Sequence, residues 1–320
     1  MRTRGYSPRT EDSYLRWIER FLRFHDRPHW KTLLGVHAED FLDHLANDAG
    51  LAANSRNQAA SALAFLYRQV LGSDAMENFP RARGPETVPL VFSHPEAMKV
   101  LRELSGKYHL ISSLMYGAGL RVSEASSLRV KDLDFDLDQI AVRGGKGGKD
   151  RIVPLPERLR DLLKSQRGKV AHLQRRDRRD GAGWVSLPGA LHRKDPQAGY
   201  SLKWQFLFPA SRMGKDSATG RRGRWHLHVS AVQREVKTAV RASDILKNAS
   251  CHTFRHTFAT ELLRDGVDMR TVQKLMGHKD IRTTMIYLHA IDQIGLGVRS
   301  PLDRPDGAKR LRRDEVRDRD

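Results

Sequence analysis

The chain reads as a mainly α protein with a small β-hairpin or sheet (α+β), and three observations predict this. Apolar residues recur at helical spacing through most of its length, from Tyr14-Trp17-Ile18-Phe21-Leu22 onward. Two short apolar runs, Gln139–Val142 and Arg151–Pro154, flank a glycine-rich turn. A proline- and glycine-containing stretch at 73–92 breaks the helical pattern and divides the chain in two.

Ser7 and Pro8 supply an N-cap and first-turn signal, with Glu11 and Asp12 at the positive end of the helix dipole. A second helix carries Phe41, Leu42 and Leu45 and stops at Gly50. A third begins near Asn54 and is expected to bury Ala62, Leu63, Leu66 and Val70 before Gly72. Arg16, Arg56 and Arg68 face outward from these stripes, where a phosphate or plain solvent can meet them. Ser93-His94-Pro95-Glu96 forms a capping box with a proline in the first turn. The stripe Leu110, Ile111, Leu114, Met115 follows and ends at Gly117 and Gly119.

The turn Gly144-Gly145-Lys146-Gly147-Gly148-Lys149-Asp150 can approach a polyanionic backbone closely, because its four glycines carry no Cβ. It lacks the spacing and the strand–loop–helix setting of a nucleotide-binding loop. From about 172 to 226 the chain reads as irregular and basic, with Arg175-Arg176-Asp177-Arg178-Arg179 and Arg221-Arg222-Gly223-Arg224. Trp184, Trp204 and Trp225 are interleaved with these charges. Aromatics in a cationic surface suit base stacking; the same tryptophans could equally fill the core of an insertion. The tail 305–320 mixes both charge signs and is expected to be disordered.

Lys plus Arg total 57 against 38 Asp plus Glu, giving +19 and a pI near 10.4. An excess of this size attracts polyanions, nucleic acid first among them. One cysteine, Cys251, gives no disulfide framework and no thiolate zinc site. His252, His256 and His278 have no acidic or thiol partner at ligand spacing, so no metal is expected. Neither a signal peptide nor a run of about 18 apolar residues occurs, so the protein is expected in a reducing cytosol.

The densest chemistry lies in Cys251-His252-Thr253-Phe254-Arg255-His256, Gly277-His278 and Tyr287. His252 and Arg255, three apart on a helix, project from one face. Phe254, Phe258 and Leu262 anchor another face. Asp268 and Asp280 cap the following helices, and Gly277 stops the first of them to deliver His278 in a turn. His256 reads as a supporting residue. Arg121 pairs with Glu124, which can position its guanidinium.

In these segments the chain resembles the tyrosine recombinases of the phage-integrase family, and among them the integron integrases. Gly119-Leu120-Arg121-Val122-Ser123-Glu124 is similar to the family's first box and Gly145-Lys146-Gly147-Gly148-Lys149 to its hairpin lysine motif. His252-Thr253-Phe254-Arg255-His256 with Leu275-Met276-Gly277-His278 is similar to the second box, and Tyr287 stands at the nucleophile's place. Trp184–Leu191, Trp204–Pro209 and Gly297–Leu302 carry the integron likeness.

The resemblance implies a helical core-binding domain at 1–78, a linker at 79–92, and a catalytic domain at 93–304 with an integron-type insertion at about 172–226. It implies no cofactor and no metal. Tyr287 would attack the scissile phosphate and form a 3′-phosphotyrosyl link. Arg121 and Arg255 would hold the non-bridging oxygens. Lys146 would protonate the leaving 5′-oxygen, His252 would act as general acid/base, and His278 would hydrogen-bond the phosphate. The implied partners are duplex attachment sites, folded single-stranded cassette sites, and four protomers exchanging a segment at roughly 291–304. DNA contacts are expected from Trp184, Trp204, Arg222, Arg224, Trp225, His226 and Arg56. Trp225 stands where the family more usually has histidine. Little sequence precedes the first helix, so some DNA-clamping contacts are expected to be missing. Two other readings use the same residues: relaxation of supercoils in the manner of a type IB topoisomerase, and a DNA-binding protein without catalysis.

Overall fold

The structure, a computed structural model, describes residues 1, 6–29, 32–76, 81–82, 84, 88–144, 150–217 and 219–294. It is mainly helical with small antiparallel sheets, as the sequence predicts, and divides into two units, Met1–Thr87 and Val88–Asp320.

In the first unit, helices α1 (Pro8–Phe24), α2 (Gly35–Asn47) and α3 (Ala53–Leu66) enclose one apolar core. The Ser7 hydroxyl accepts the Thr10 N–H at 3.2 Å, closing the first turn of α1. Phe21, Phe41, Leu42, Leu45 and Leu63 are buried, with the Phe21 and Phe41 rings edge to face at 5.6 Å. Val70 departs from expectation: it is 63% exposed. The chain widens after α3 into a π-helical turn, Tyr67–Leu71, which rotates Val70 off the core face.

The second unit opens with α4 (His94–Arg102), whose Ser93–Glu96 capping box forms as expected, and continues into α5 (Gly106–Ala118). Gly119, in the left-handed conformation at φ 65°, ends α5 and turns the chain into the short helix α6 (Val122–Ser126). Strands β1 (Leu133–Asp134), β2 (Gln139–Val142) and β3 (Arg151–Pro154) then form an antiparallel sheet in sequence order, with Ile140 opposite Val153 and Val142 opposite Arg151. The core joins α4 and α5 to this sheet through Val100, Ile111, Leu114, Ile140 and Val153.

Helix α7 (Arg160–Arg179) contains Arg175–Arg179, so the chain is regular where the sequence reads as irregular. Its buried face is Leu163, Val170, Gln174 and Asp177. Half of that stripe is polar, so no apolar period advertises the helix. Beyond it lie α8 (Leu191–Lys194), β4 (Gly214–Lys215) and β5 (Arg222–Gly223), around a small separate core of Trp184, Leu187 and Ala198. The backbone bridge Arg129–Phe206 stitches this segment to the rest of the unit, and Pro209–His226 closes it on itself.

Helices α9 (Val229–Ala242), α10 (Cys251–Arg264), α11 (Met269–Met276) and α12 (Arg282–Ile294) complete the unit. Ser250 caps α10, Asp268 caps α11, and Gly277 at φ 61° ends α11. No described helix is long and apolar enough to cross a membrane.

Candidate active site

The site is organised around a buried carboxylate. Arg121 precedes the first turn of α6, and its backbone N–H donates to Glu124 Oε2 at 2.8 Å. The Arg121 guanidinium bends back to Glu124 Oε1 at 2.8 Å, the pairing the sequence suggests. Burial alone would raise the Glu124 carboxyl, but hydrogen bonds from Arg151 and the Arg121 backbone, with both guanidinium charges, bring it down to about 2. Arg121 keeps 21% of its side chain exposed, whereas the Glu124 side chain keeps 6%. The cation is thus held from behind and presented outward.

Helix α10 carries the second guanidinium inward. Arg255 donates to the carbonyls of Gly119 and Met276, the residues that end α5 and α11. Its remaining donor contact is His278 Nε2 at 3.3 Å, and Glu124 Oε2 lies 3.8 Å away. Burial and the Arg121 charge lower the Arg255 guanidinium to about 9, still protonated at neutral pH. Burial, then Arg255, Arg121 and Arg151, press His278 down to about 3. A neutral His278 accepts from Arg255 at Nε2 and donates from Nδ1 to the Thr284 hydroxyl at 3.0 Å.

Tyr287 sits one turn along α12 from Thr284 and is 2% exposed. Its ring stacks on His278 at 6.1 Å and packs among Phe258, Val272 and Met276. Its hydroxyl meets His256 Nδ1 at 3.0 Å. Burial raises the phenol above its ordinary value, while Arg255 and Arg121 draw it back. Arg121, Glu124, Arg255, His278 and Tyr287 are therefore brought together, with His256 added to the set. His252 lies on the exposed side of α10, its ring 6.3 Å from that of His256. Burial of its inner edge, Arg255 and Arg121 lower its basicity. Lys146 falls outside the described residues.

The expected DNA-contact residues separate into two groups. Trp184 is 2% exposed, edge to face with Tyr200 at 5.4 Å and covered by the Arg221 guanidinium at 4.5 Å. It is core, one of the two roles its sequence allows. Arg224 is held by Asp177 at 2.6 and 3.0 Å in a nearly buried pair, so its charge is already matched. His226 is half-buried and donates from Nδ1 to the Leu227 carbonyl. By contrast Trp225 is 53% exposed, and Arg222, three residues before it, is exposed too. Trp204 is half-buried under the Lys131 ammonium, 3.4 Å from its ring centre. Arg56, in the first unit, lines a cleft with Asp43, Asn57 and Arg81, and its Nε is buried without a hydrogen-bond partner.

Sequence reasoning missed three residues. Arg151 grips Glu124 with both terminal nitrogens at 2.9 and 2.7 Å. In β3 the exposed residues are Ile152 and Pro154 and the inward ones Arg151 and Val153, so a charged side chain shares the buried face; with isoleucine outward, the alternation gives no sequence signal of this. Thr284, fully buried, fixes the His278 ring; it lies in the segment Thr283–Tyr287 around the nucleophile, but nothing there signals that role. Arg129 donates to the carbonyls of Trp204 and Ser186 at 2.6 and 2.8 Å, tying the inserted segment down.

Three guanidinium groups, neutral imidazoles and a phenol gather around one carboxylate, a set of groups whose chemistry suits a phosphodiester. Among the described residues no three His, Cys, Asp or Glu side chains are placed to hold a metal ion. Residues 92–293 match the phage integrase family, and residues 1–77 match its N-terminal SAM-like domain, so the chain belongs to the phage integrase family. It is a tyrosine recombinase, a site-specific DNA strand-transferring enzyme. An integrase/recombinase of Escherichia coli is 43% identical over 300 residues, 93% of this chain and 89% of that protein. The tyrosine recombinase XerA of Thermococcus kodakarensis is 31% identical over 287 residues, 88% of this chain and 85% of that protein. Among solved structures, the XerH site-specific recombinase bound to palindromic difH substrate shares the fold. It has TM-score 0.59 and 20% identity, over 88% of this chain and 77% of that one.

Proposed function

We propose that this recombinase inserts and excises gene cassettes in the manner of integron integrases, with Tyr287 as its nucleophile. The convergence of Arg121 and Arg255 on Tyr287 through the shared Glu124 supports the chemistry. The Tyr287 oxygen bonds to phosphorus while the P–O5′ bond breaks, and the 5′-oxygen takes its proton from Lys146. Arg121 and Arg255 balance the charge on the non-bridging oxygens, His278 hydrogen-bonds the phosphate, and His252, as general base, takes the proton that the Tyr287 phenol loses on attack and returns it on rejoining. The phosphotyrosine conserves the bond for rejoining. Because Tyr287 is enclosed, α12 must first bring the phenol out; the turn 277–281, opening on left-handed Gly277, is where the backbone can bend.

The cassette reading is supported by the inserted segment, which presents Trp225, Arg222 and the Lys131-covered Trp204. Exposed aromatics beside cations fit bases turned out of a folded single strand. Trp184 and Arg224 instead hold that segment together. We assign residues 1–78 to a DNA-binding domain in which Arg56 meets a phosphate, and 93–304 to catalysis. Four protomers are taken to assemble on DNA through the segment near 291–304, whose side chains lie outside the described residues. The setting is the bacterial cytosol.

Purified protein is mixed with folded single-stranded cassette-site DNA and with duplex DNA. A covalent adduct is expected that Tyr287→Phe abolishes while binding persists, followed by joined products from two sites. Adduct with relaxation but no joining would select a topoisomerase-like activity, and binding with no adduct would overturn Tyr287 as nucleophile.

A further inference from the structure

Glu124 accepts hydrogen bonds from four N–H donors, two for each oxygen. Oε1 takes Arg121 NH1 at 2.8 Å and Arg151 NH1 at 2.9 Å; Oε2 takes the Arg121 backbone N–H at 2.8 Å and Arg151 NH2 at 2.7 Å. A carboxylate has about four such acceptor positions, so this one is saturated. Half of its partners come from Arg151, a residue in a strand of the small sheet, far from α6 in the chain. The third nitrogen of Arg151, Nε, donates to the Leu275 carbonyl at 2.7 Å, in the last turn of α11. Gly277 packs against the same guanidinium so closely that a Cβ there would stand 3.1 Å from Arg151 Cδ and NH1.

We propose that Arg151 is a positioning residue for strand transfer: it fixes the plane of Glu124, and through it the Arg121 guanidinium, relative to the end of α11 that carries His278. Its side chain is 9% exposed and all three nitrogens are engaged, so it acts through these neighbours and not on DNA itself. Without it, Glu124 can rotate about its side-chain bonds and Arg121 follows. The bidentate fork matters as well as the charge, since an ammonium cannot span both carboxylate oxygens and a carbonyl together. This inference rests on Arg121 holding the scissile phosphate.

The test uses the full chain and the duplex it captures as covalent adduct from a random-sequence pool. Arg151→Met and Arg151→Lys are compared with wild type for melting temperature, DNA affinity and single-turnover adduct rate. Both are expected to slow adduct formation about 10²-fold while DNA affinity holds, and Arg151→Met/Glu124→Gln is expected to be no slower than Glu124→Gln alone. The control Ile152→Thr, at a site 60% exposed, should leave the rate unchanged. A full rate in Arg151→Lys, or losses that multiply in the double variant, would overturn the positioning role. Should Arg151→Met fail to fold, Arg151→Lys and a wild-type measurement decide: Arg151 side-chain protons exchanging with water as fast as those of exposed Arg222 also overturn it. No adduct from wild type would instead remove the recombinase assignment of the site, a separate failure.

Discussion

The Tyr287 hydroxyl donates to His256 Nδ1 across 3.0 Å, inside the protein and away from solvent. This bond requires a neutral imidazole, and the surroundings supply one. Burial, then the His252 and Arg255 charges, hold His256 at about 4. The phenol is thus kept protonated and enclosed in the DNA-free protein.

Two consequences are measurable without DNA. Tyr287 should ionise above the ordinary phenol value, seen as the ultraviolet titration lost between wild type and Tyr287→Phe. It should also resist phenol acetylation. His256→Ala removes the acceptor, and one buried hydrogen bond of about 0.5–1.5 kcal/mol corresponds to acetylation faster by about 2–10-fold. Equal rates in the two proteins would show that packing alone encloses the ring.

The titrating groups of the site give the protein an acid limb with two stages. His278 and His256 stay neutral down to about 3 and about 4, against an ordinary 6.5. Below pH 6.5 the unfolded chain therefore takes up protons the folded chain refuses, and stability falls as pH falls through that window. Glu124 is depressed from 4.5 to about 2, so its contribution is complete above 4.5 and is lost as pH drops toward 2. That contribution is about 3 kcal/mol at neutral pH. Urea unfolding at a series of pH values should show His278→Gln flattening the upper stage and Glu124→Gln the lower.

The helices and the hairpin were legible because their signals are local. Ser7, Ser93 and Asp268 cap helices as read, and Gly119 and Gly277 end them with positive φ. The residues brought to the site were legible as motifs. What they do to one another was not, because Glu124 joins three arginines from three separate segments. Helix α7 escaped because its inner face is half polar; Asp177 is buried there only because Arg224, 47 residues on, neutralises it. The tryptophans illustrate the same limit. Composition cannot distinguish Trp184, enclosed by Arg221 and Tyr200, from Trp225, which is open.

That difference predicts opposite outcomes for one substitution at two sites. Trp184→Ala empties the middle of a small core and should destabilise the inserted segment by about 3–5 kcal/mol, read by hydrogen exchange across 180–228. Trp225→Ala should leave stability unchanged. It should instead weaken binding to folded single strands with unpaired bases by about 1–3 kcal/mol, with duplex binding retained. Loss of duplex binding in Trp225→Ala would place Trp225 on the double helix instead.

Gly119 joins fold and site at a single backbone position. Its φ is 65°, and a Cβ there would lie 2.4 Å from Phe258 Cδ1 and 3.3 Å from Met276 Sδ. Phe258 is a core residue with 7% exposure, packed with Val272, Met276 and Tyr287. The Gly119 carbonyl also receives the Arg255 guanidinium. Gly119→Ala should therefore cost about 1–2 kcal/mol in backbone strain and about 1–3 kcal/mol in overpacking. By displacing Arg255 it should also slow adduct formation, about 10²-fold for a shift near 1 Å. Gly106→Ala separates the effects: φ is 53° there, but nothing lies within 4 Å of the added methyl. It should lower the melting temperature through strain alone and leave the adduct rate intact. An equal rate loss in both variants would show that general destabilisation, and not the Gly119–Arg255 contact, limits the chemistry.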